Sequence, residues 1–147
     1  MSESLPAVRL SGELEVALPP EQAFRLFTAR GEQDWVPGWR PEFPAAAVDD
    51  TAPGTVWRTV ANGRETTWVV VQREAPFLVG YARVVPGVQA GTVTVRLDAL
   101  DGGRSHVRVA YRLTALGEGA ARELAVFAEG LSGDVARVAG TDRAVPA

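Results

Sequence analysis

Between residues 8 and 18 apolar and polar side chains alternate without a break, and the alternation ends at a double proline. Val8, Leu10, Leu14, Val16 and Leu18 fall on one face, with Gly12 in the same register, while Arg9, Ser11, Glu13 and Glu15 fall on the other. A period of two describes a strand with one buried and one wet face. Pro19-Pro20 cannot continue a ladder. Pro20 suits the first position of a helix and Glu21 suits its positive end. The spacing therefore predicts a helix beginning over Glu21–Phe27. A loop rich in proline and tryptophan follows, Trp35-Val36-Pro37-Gly38-Trp39-Arg40-Pro41-Glu42-Phe43-Pro44. The order strand, short helices, aromatic loop limits what the rest of the chain can build around.

After the loop the pattern turns to β. Residues 45–50 read as a short strand and Thr51-Ala52-Pro53-Gly54 as a turn. Residues 55–61 and 64–73 read as two strands joined by Asn62-Gly63, a pair suited to the positive φ angles of a type I′ turn. That turn places Ala61 opposite Arg64, Thr59 opposite Thr66 and Trp57 opposite Trp68. Ala75-Pro76 breaks the second strand. Residues 77–85, 91–100 and 105–115 continue the meander, with turns at Pro86-Gly87 and Gly102-Gly103. A three-residue loop at 102–104 would set Val93, Val95 and Leu97 opposite Leu113, Tyr111 and Val109, and Asp98 opposite Arg108. Residues 117–139 read as a helix whose apolar stripe is Ala120, Leu124, Phe127, Leu131, Val135 and Val138.

A chain of 147 residues suits one domain with one substantial core. It has no cysteine, one histidine (His106) and no lysine among its fifteen basic residues. Disulfides, thiolate or multi-histidine metal sites, Ser-His-Asp chemistry and Schiff bases are thereby excluded, and no cofactor is expected. A net charge of −3 disfavours nucleic acid as partner. The polar Met1-Ser2-Glu3-Ser4 start, with no long apolar run, predicts a cytoplasmic protein without a membrane span.

Taken together, the elements predict an α+β helix-grip fold: a curved antiparallel sheet in β-α-α-β6-α order wrapped around a long C-terminal helix. The chain resembles the START-like, or Bet v 1-like, superfamily (SRPBCC), in particular its small bacterial polyketide cyclase/dehydratase-like and Hsp90-activator-like members. The resemblance spans about residues 7–139 and rests on Leu18-Pro19-Pro20-Glu21-Gln22-Ala23-Phe24, Trp35-Val36-Pro37-Gly38-Trp39, Gly54-Thr55-Val56-Trp57 and the 120–138 stripe. A lipocalin, the topological rival, would need about eight strands before its helix. The resemblance implies a cavity between sheet and helix for a small hydrophobic ligand such as a lipid, polyketide or aromatic compound.

By register, Trp57, Thr59, Thr66, Trp68, Val95 and Tyr111 would line that cavity from the sheet. Leu124, Phe127 and Leu131 would line it from the helix, and Trp35, Trp39 and Phe43 from the loop at its mouth. Each also has a plainer reading as core, barrel plug or ordinary strand former. Tyr81 and Arg83 point the same way from one strand. Inward they could polarise a carbonyl, and outward they would be surface. Glu42 is a candidate acid or base, against a solvated loop carboxylate, and Tyr111 needs a hydroxyl partner. Arg58 and Glu65 read as a solvent pair and His106 as a solvated residue. Three functions follow: a binding protein for a hydrophobic molecule, a cyclase or dehydratase using Tyr81, Arg83, Glu42 or Tyr111, and a protein-interaction module. An exposed sheet edge would allow a homodimer.

Overall fold

The computed structural model describes residues 5–61, 63–117 and 119–120. Strand β1 (Ala7–Val16) leads through Pro19 into a single helical turn, α1 (Pro20–Ala23), with Pro20 at its start and Glu21 in its first turn. Two 3-10 turns follow, Phe24–Phe27 and Gly31–Asp34. Five further strands complete the sheet: β2 (Val56–Ala61), β3 (Arg64–Glu74), β4 (Leu78–Val85), β5 (Gln89–Leu100) and β6 (Arg104–Ala115). They form one curved antiparallel sheet in the order β1-β6-β5-β4-β3-β2. The predicted C-terminal helix over 117–139 lies outside the described residues, apart from its first few.

The strand predicted at 45–50 is absent. Its backbone is drawn elsewhere: the Arg30 guanidinium donates to the carbonyls of Ala47 and Val48, and the Arg30 N–H to Asp50 Oδ2 at 2.8 Å. Val48 projects fully into solvent, so the segment has no apolar face to bury. Asp49 folds back to accept from the Thr51 N–H and hydroxyl and from Arg73, which together hold its carboxyl below the usual range. Among the described residues the sheet thus has six strands in all, with five after the aromatic loop.

The Asn62-Gly63 turn holds the predicted register: Ala61 faces Arg64, Thr59 faces Thr66 and Trp57 faces Trp68. The last hairpin is displaced by two residues. Leu100 faces Arg104 across Asp101-Gly102-Gly103, with both glycines at positive φ (81° and 70°). Val93, Val95 and Leu97 therefore face Tyr111, Val109 and Val107, and Asp98 faces His106 rather than Arg108. Arg108 instead pairs with Glu13 on β1 at 2.8 Å, and His106 Nε2 lies 3.3 Å from the same carboxylate. A slip of two keeps every side chain on its predicted face.

The core lies on the concave face. Leu14, Val16, Val79, Val93, Val95, Leu97 and Val107 pack beneath Ala23, Phe24, Leu26 and Phe27 of the helical segment. Burial along β1 is graded: Leu14 and Val16 are buried where α1 covers them, whereas Val8 and Leu10 are only half-buried.

Candidate functional site

The aromatic residues predicted from register and loop composition meet in one cluster. Trp57 and Trp68 stack with parallel rings 5.9 Å apart. Tyr81 stands edge-on to both, at 5.1 and 6.4 Å. Trp39 meets Trp68 edge-on at 5.6 Å, and Phe43 lies 6.3 Å from Trp57. Trp57 is 1% exposed and Trp68 8%, so both are core first. Thr59 and Thr66 are buried between them and the sheet end, and the Thr59 hydroxyl accepts from Trp68 Nε1 at 3.0 Å. Trp57 Nε1 is buried and meets no acceptor.

The loop is fastened by its own indoles. Trp35 Nε1 donates to the Leu26 carbonyl and Trp39 Nε1 to the Ala29 carbonyl, each at 2.6 Å. Trp35 also packs edge-on against Phe27 at 5.7 Å. The Tyr81 hydroxyl donates to the Phe27 carbonyl at 2.7 Å. Three side chains thus satisfy three carbonyls of the helical segment, which a lone helical turn would leave open. Trp35, Trp39 and Phe43 are half-buried against the core.

Tyr81 and Arg83 both project from β4 into the concave side, 3% and 6% exposed. The Tyr81 hydroxyl is committed to Phe27. Burial, and then the charges of Glu32 and Asp50, push its phenol well above the usual range. The Arg83 guanidinium sits over Trp68, 4.9 Å from the ring centroid, and burial lowers its pKa. Tyr111 lies on the same face of β6, half-buried, close enough for its charge to act on Arg83. Val95 is buried in the middle of the concave face. Leu124, Phe127 and Leu131 fall outside the described residues.

Glu42 stands apart from this group. Its backbone bridges the edge of β2 at Arg58, and its side chain is 76% exposed with the carboxylate 3.4 Å from the Arg58 guanidinium. The carboxylate that Arg58 meets is therefore Glu42 and not Glu65. A separate open cleft of about 310 Å³ lies beside the β3–β4 turn, lined by Glu74, Phe77, Leu78, Arg96 and Asp98, and contains none of the predicted residues. No cluster of metal-ligating side chains occurs among the described residues.

Two polar residues escaped the sequence reading. Glu32, in the second 3-10 turn, is half-buried as a residue, yet burial of its carboxyl pushes the pKa up to about 8. Nothing in Gly31-Glu32-Gln33-Asp34 marks it out from a solvated loop. Gln89 is 5% exposed on the concave face, and its Oε1 meets no donor. Its signal was present, since it continues the period of Val93, Val95 and Leu97, but β5 begins two residues before the predicted strand.

The profile of the family of polyketide cyclase / dehydrase and lipid transport proteins matches residues 7–141. The chain belongs to this family. Solved structures with the same fold include an uncharacterised protein from Rhizobium leguminosarum (14% identity over 92% of this chain and 95% of that one, TM-score 0.66). Norcoclaurine synthase from Thalictrum flavum is another (14%, 77% and 72%, TM-score 0.58). So is an Hsp90 activator from Plasmodium falciparum (15%, 71% of each chain, TM-score 0.53). No curated protein matches the chain. The family and these neighbours place the chain in the Bet v 1-like superfamily, as its motifs suggested. Among the described residues no helix is long and apolar enough to cross a membrane.

Proposed function

We propose that the protein binds a small hydrophobic molecule against the concave face of its sheet, as a single domain. The observation that carries this is the uneven covering of that face. The helical segment seals Leu14, Val16, Leu97 and Val107, while along β1 and β6 Val8, Leu10, Val109 and Tyr111 are only half-buried around the buried Leu113. An apolar strip of this kind, bordered by a few polar groups, is what a hydrophobic ligand requires. Membership of a family described by polyketide cyclisation and lipid transport supports the same reading.

The test is a thermal-shift screen with fatty acids, flavonoids, aromatic polyketides and sterols, read beside tryptophan fluorescence. A ligand at a hundred times its Kd stabilises by about 2.7 kcal/mol, or about 5–10 °C in a domain of this size. A hit that also changes the emission of the indole cluster supports the reading. A flat screen with unchanged emission would overturn it in favour of a protein-interaction role.

A second reading, catalysis of the cyclase or dehydratase type, is favoured by Glu32. Burial pushes the pKa of this carboxyl up to about 8, so it holds a proton nearer neutrality than an ordinary glutamate and can donate it to a bound carbonyl. Product analysis with a bound polyketide, compared between the wild type and Glu32→Gln, tests it. Unchanged products in the two proteins would exclude that role.

A further inference from the structure

The two edges of the sheet are protected differently. β2 is six residues long, and the Glu42 backbone closes its edge: the Glu42 N–H donates to the Arg58 carbonyl and the Glu42 carbonyl accepts from the Arg58 N–H, each at 2.8 Å. β1 is ten residues long and pairs with β6 in unbroken register from Ala7 to Val16, with no bulge and no internal proline. On its other side no described backbone group meets it. The ladder fixes which groups point there. The Pro6 carbonyl accepts from the Ala115 N–H, and along an antiparallel strand successive residues turn their N–H and C=O to opposite sides. Val8, Leu10, Gly12, Leu14 and Val16 therefore bond to β6, while Ala7, Arg9, Ser11, Glu13 and Glu15, all exposed, offer theirs to the open side. A long regular edge of this kind is a template for a further strand.

We propose that this edge pairs with the same edge of a second copy of the chain, antiparallel and centred on Ser11, so that two sheets join into one. The strand is complementary to itself in that register. About a two-fold axis at Ser11, Arg9 of each copy faces Glu13 of the other, and Ala7 faces Glu15. Both charged partners are available. Arg9 is exposed and makes no ion pair among the described residues. The contacts that Glu13 receives from Arg108 and His106 all fall on Oε1, and Oε2 takes none. On the concave face Val8 meets Leu14 and Leu10 meets Gly12 of the other copy, so the half-buried Leu10 gains cover from a position that has no side chain to obstruct it. Other registers fit less well. Centring on Arg9 or Glu13 sets like charges face to face. Centring on Leu10 brings no opposite charges together, and centring on Gly12 carries Ala7 past the end of the partner strand.

The experiment is sedimentation velocity on the full chain over a wide concentration range, at low salt and at high salt. A contact between two edges is small for a specific interface, so the expected Kd is about 10–100 µM at low salt and severalfold weaker at high salt. Arg9→Glu sets carboxylates against Glu13 and should weaken the dimer about tenfold, with a salt dependence of the opposite sign. Ser11→Cys places the only thiol of each chain on the two-fold axis, with Cα atoms about 5.5 Å apart, so a short bis-maleimide should join two copies. Arg96→Cys, on β5, should stay unjoined. A chain that remains monomeric at the highest concentration overturns the proposal. So does a dimer that Arg9→Glu leaves unchanged, or one in which Arg96→Cys is joined as readily as Ser11→Cys. Should Arg9→Glu not fold, the salt dependence of the wild type and the two cysteine variants decide the question.

Discussion

Replacing Glu32 by glutamine should make the protein more stable at high pH and leave it unchanged at low pH. The carboxyl is held inside by its turn. The Glu32 N–H donates to the Thr28 carbonyl at 3.1 Å, and the Glu32 carbonyl accepts from Trp35 and Val36 at 3.2 and 2.8 Å. Gly31 beside it lies where a Cβ would come 1.5 Å from the Arg25 carbonyl oxygen, so the turn hugs the preceding segment. It cannot swing out to hydrate the acid without releasing these bonds. Burial raises the pKa from 4.5 to about 8. The folded protein thus binds this proton more tightly than the unfolded chain, and stability must fall as pH rises between those values. The protonated carboxyl is accommodated at full stability below about pH 4.5, and the penalty is complete above about pH 8. At about 1.4 kcal/mol per pH unit, the ceiling is about 5 kcal/mol. Because the residue is half-buried and water can reach its stem, about 3 kcal/mol is the working figure. Glutamine has the shape of the protonated acid and cannot ionise. Thermal melts of both proteins from about pH 5 to pH 9 should coincide at the acid end and separate by about 10 °C at the alkaline end, with the variant higher. Other titrating groups are common to both proteins and cancel in the difference. Melting curves that stay parallel across this range would refute the argument, because Glu32 would then ionise in the folded state as it does in water.

Two more substitutions test how the site is held. Tyr81→Phe removes the donor to the Phe27 carbonyl and should cost about 1–2 kcal/mol in urea unfolding, since the carbonyl is left buried and unpaired. A cost near zero would mean that this bond does not fasten the helical segment to β4. Gly91→Ala places a methyl against the Arg112 backbone and should cost about 2 kcal/mol or more, with amide NMR shifts concentrated on β5 and β6. Retained stability would show that the two strands can part there at little cost.

The sheet was more legible in the chain than the site. Alternation gave the faces, and Asn62-Gly63 gave the register of one hairpin because its conformation allows few alternatives. Asp101-Gly102-Gly103 offers two adjacent flexible positions, so loop length was ambiguous by two residues while the faces were not. The segment 45–50 looked extended, but a strand needs a neighbour, and here the Arg30 side chain takes the carbonyls that a neighbour would have paired. The pairing of Trp57 with Trp68 followed from the turn, whereas the inward direction of Tyr81 stays open in the sequence, because nothing in residues 77–85 tells one face of β4 from the other. The environment of Glu32 is not legible either, because it depends on how the aromatic loop folds back over the sheet, which no local pattern encodes. Gln89 was missed for a simpler reason, the placing of a strand end.

The parallel tryptophans have an optical consequence. Indoles at 5.9 Å, with planes only 1° apart, couple their electronic transitions. Their circular dichroism then carries a contribution from the pair beside that of each ring. Because the two belong to facing strands, that contribution exists only while β2 and β3 are zipped in this register. The protein therefore carries an internal gauge of that hairpin, readable without a label, and its decay can be timed against the loss of the sheet as a whole.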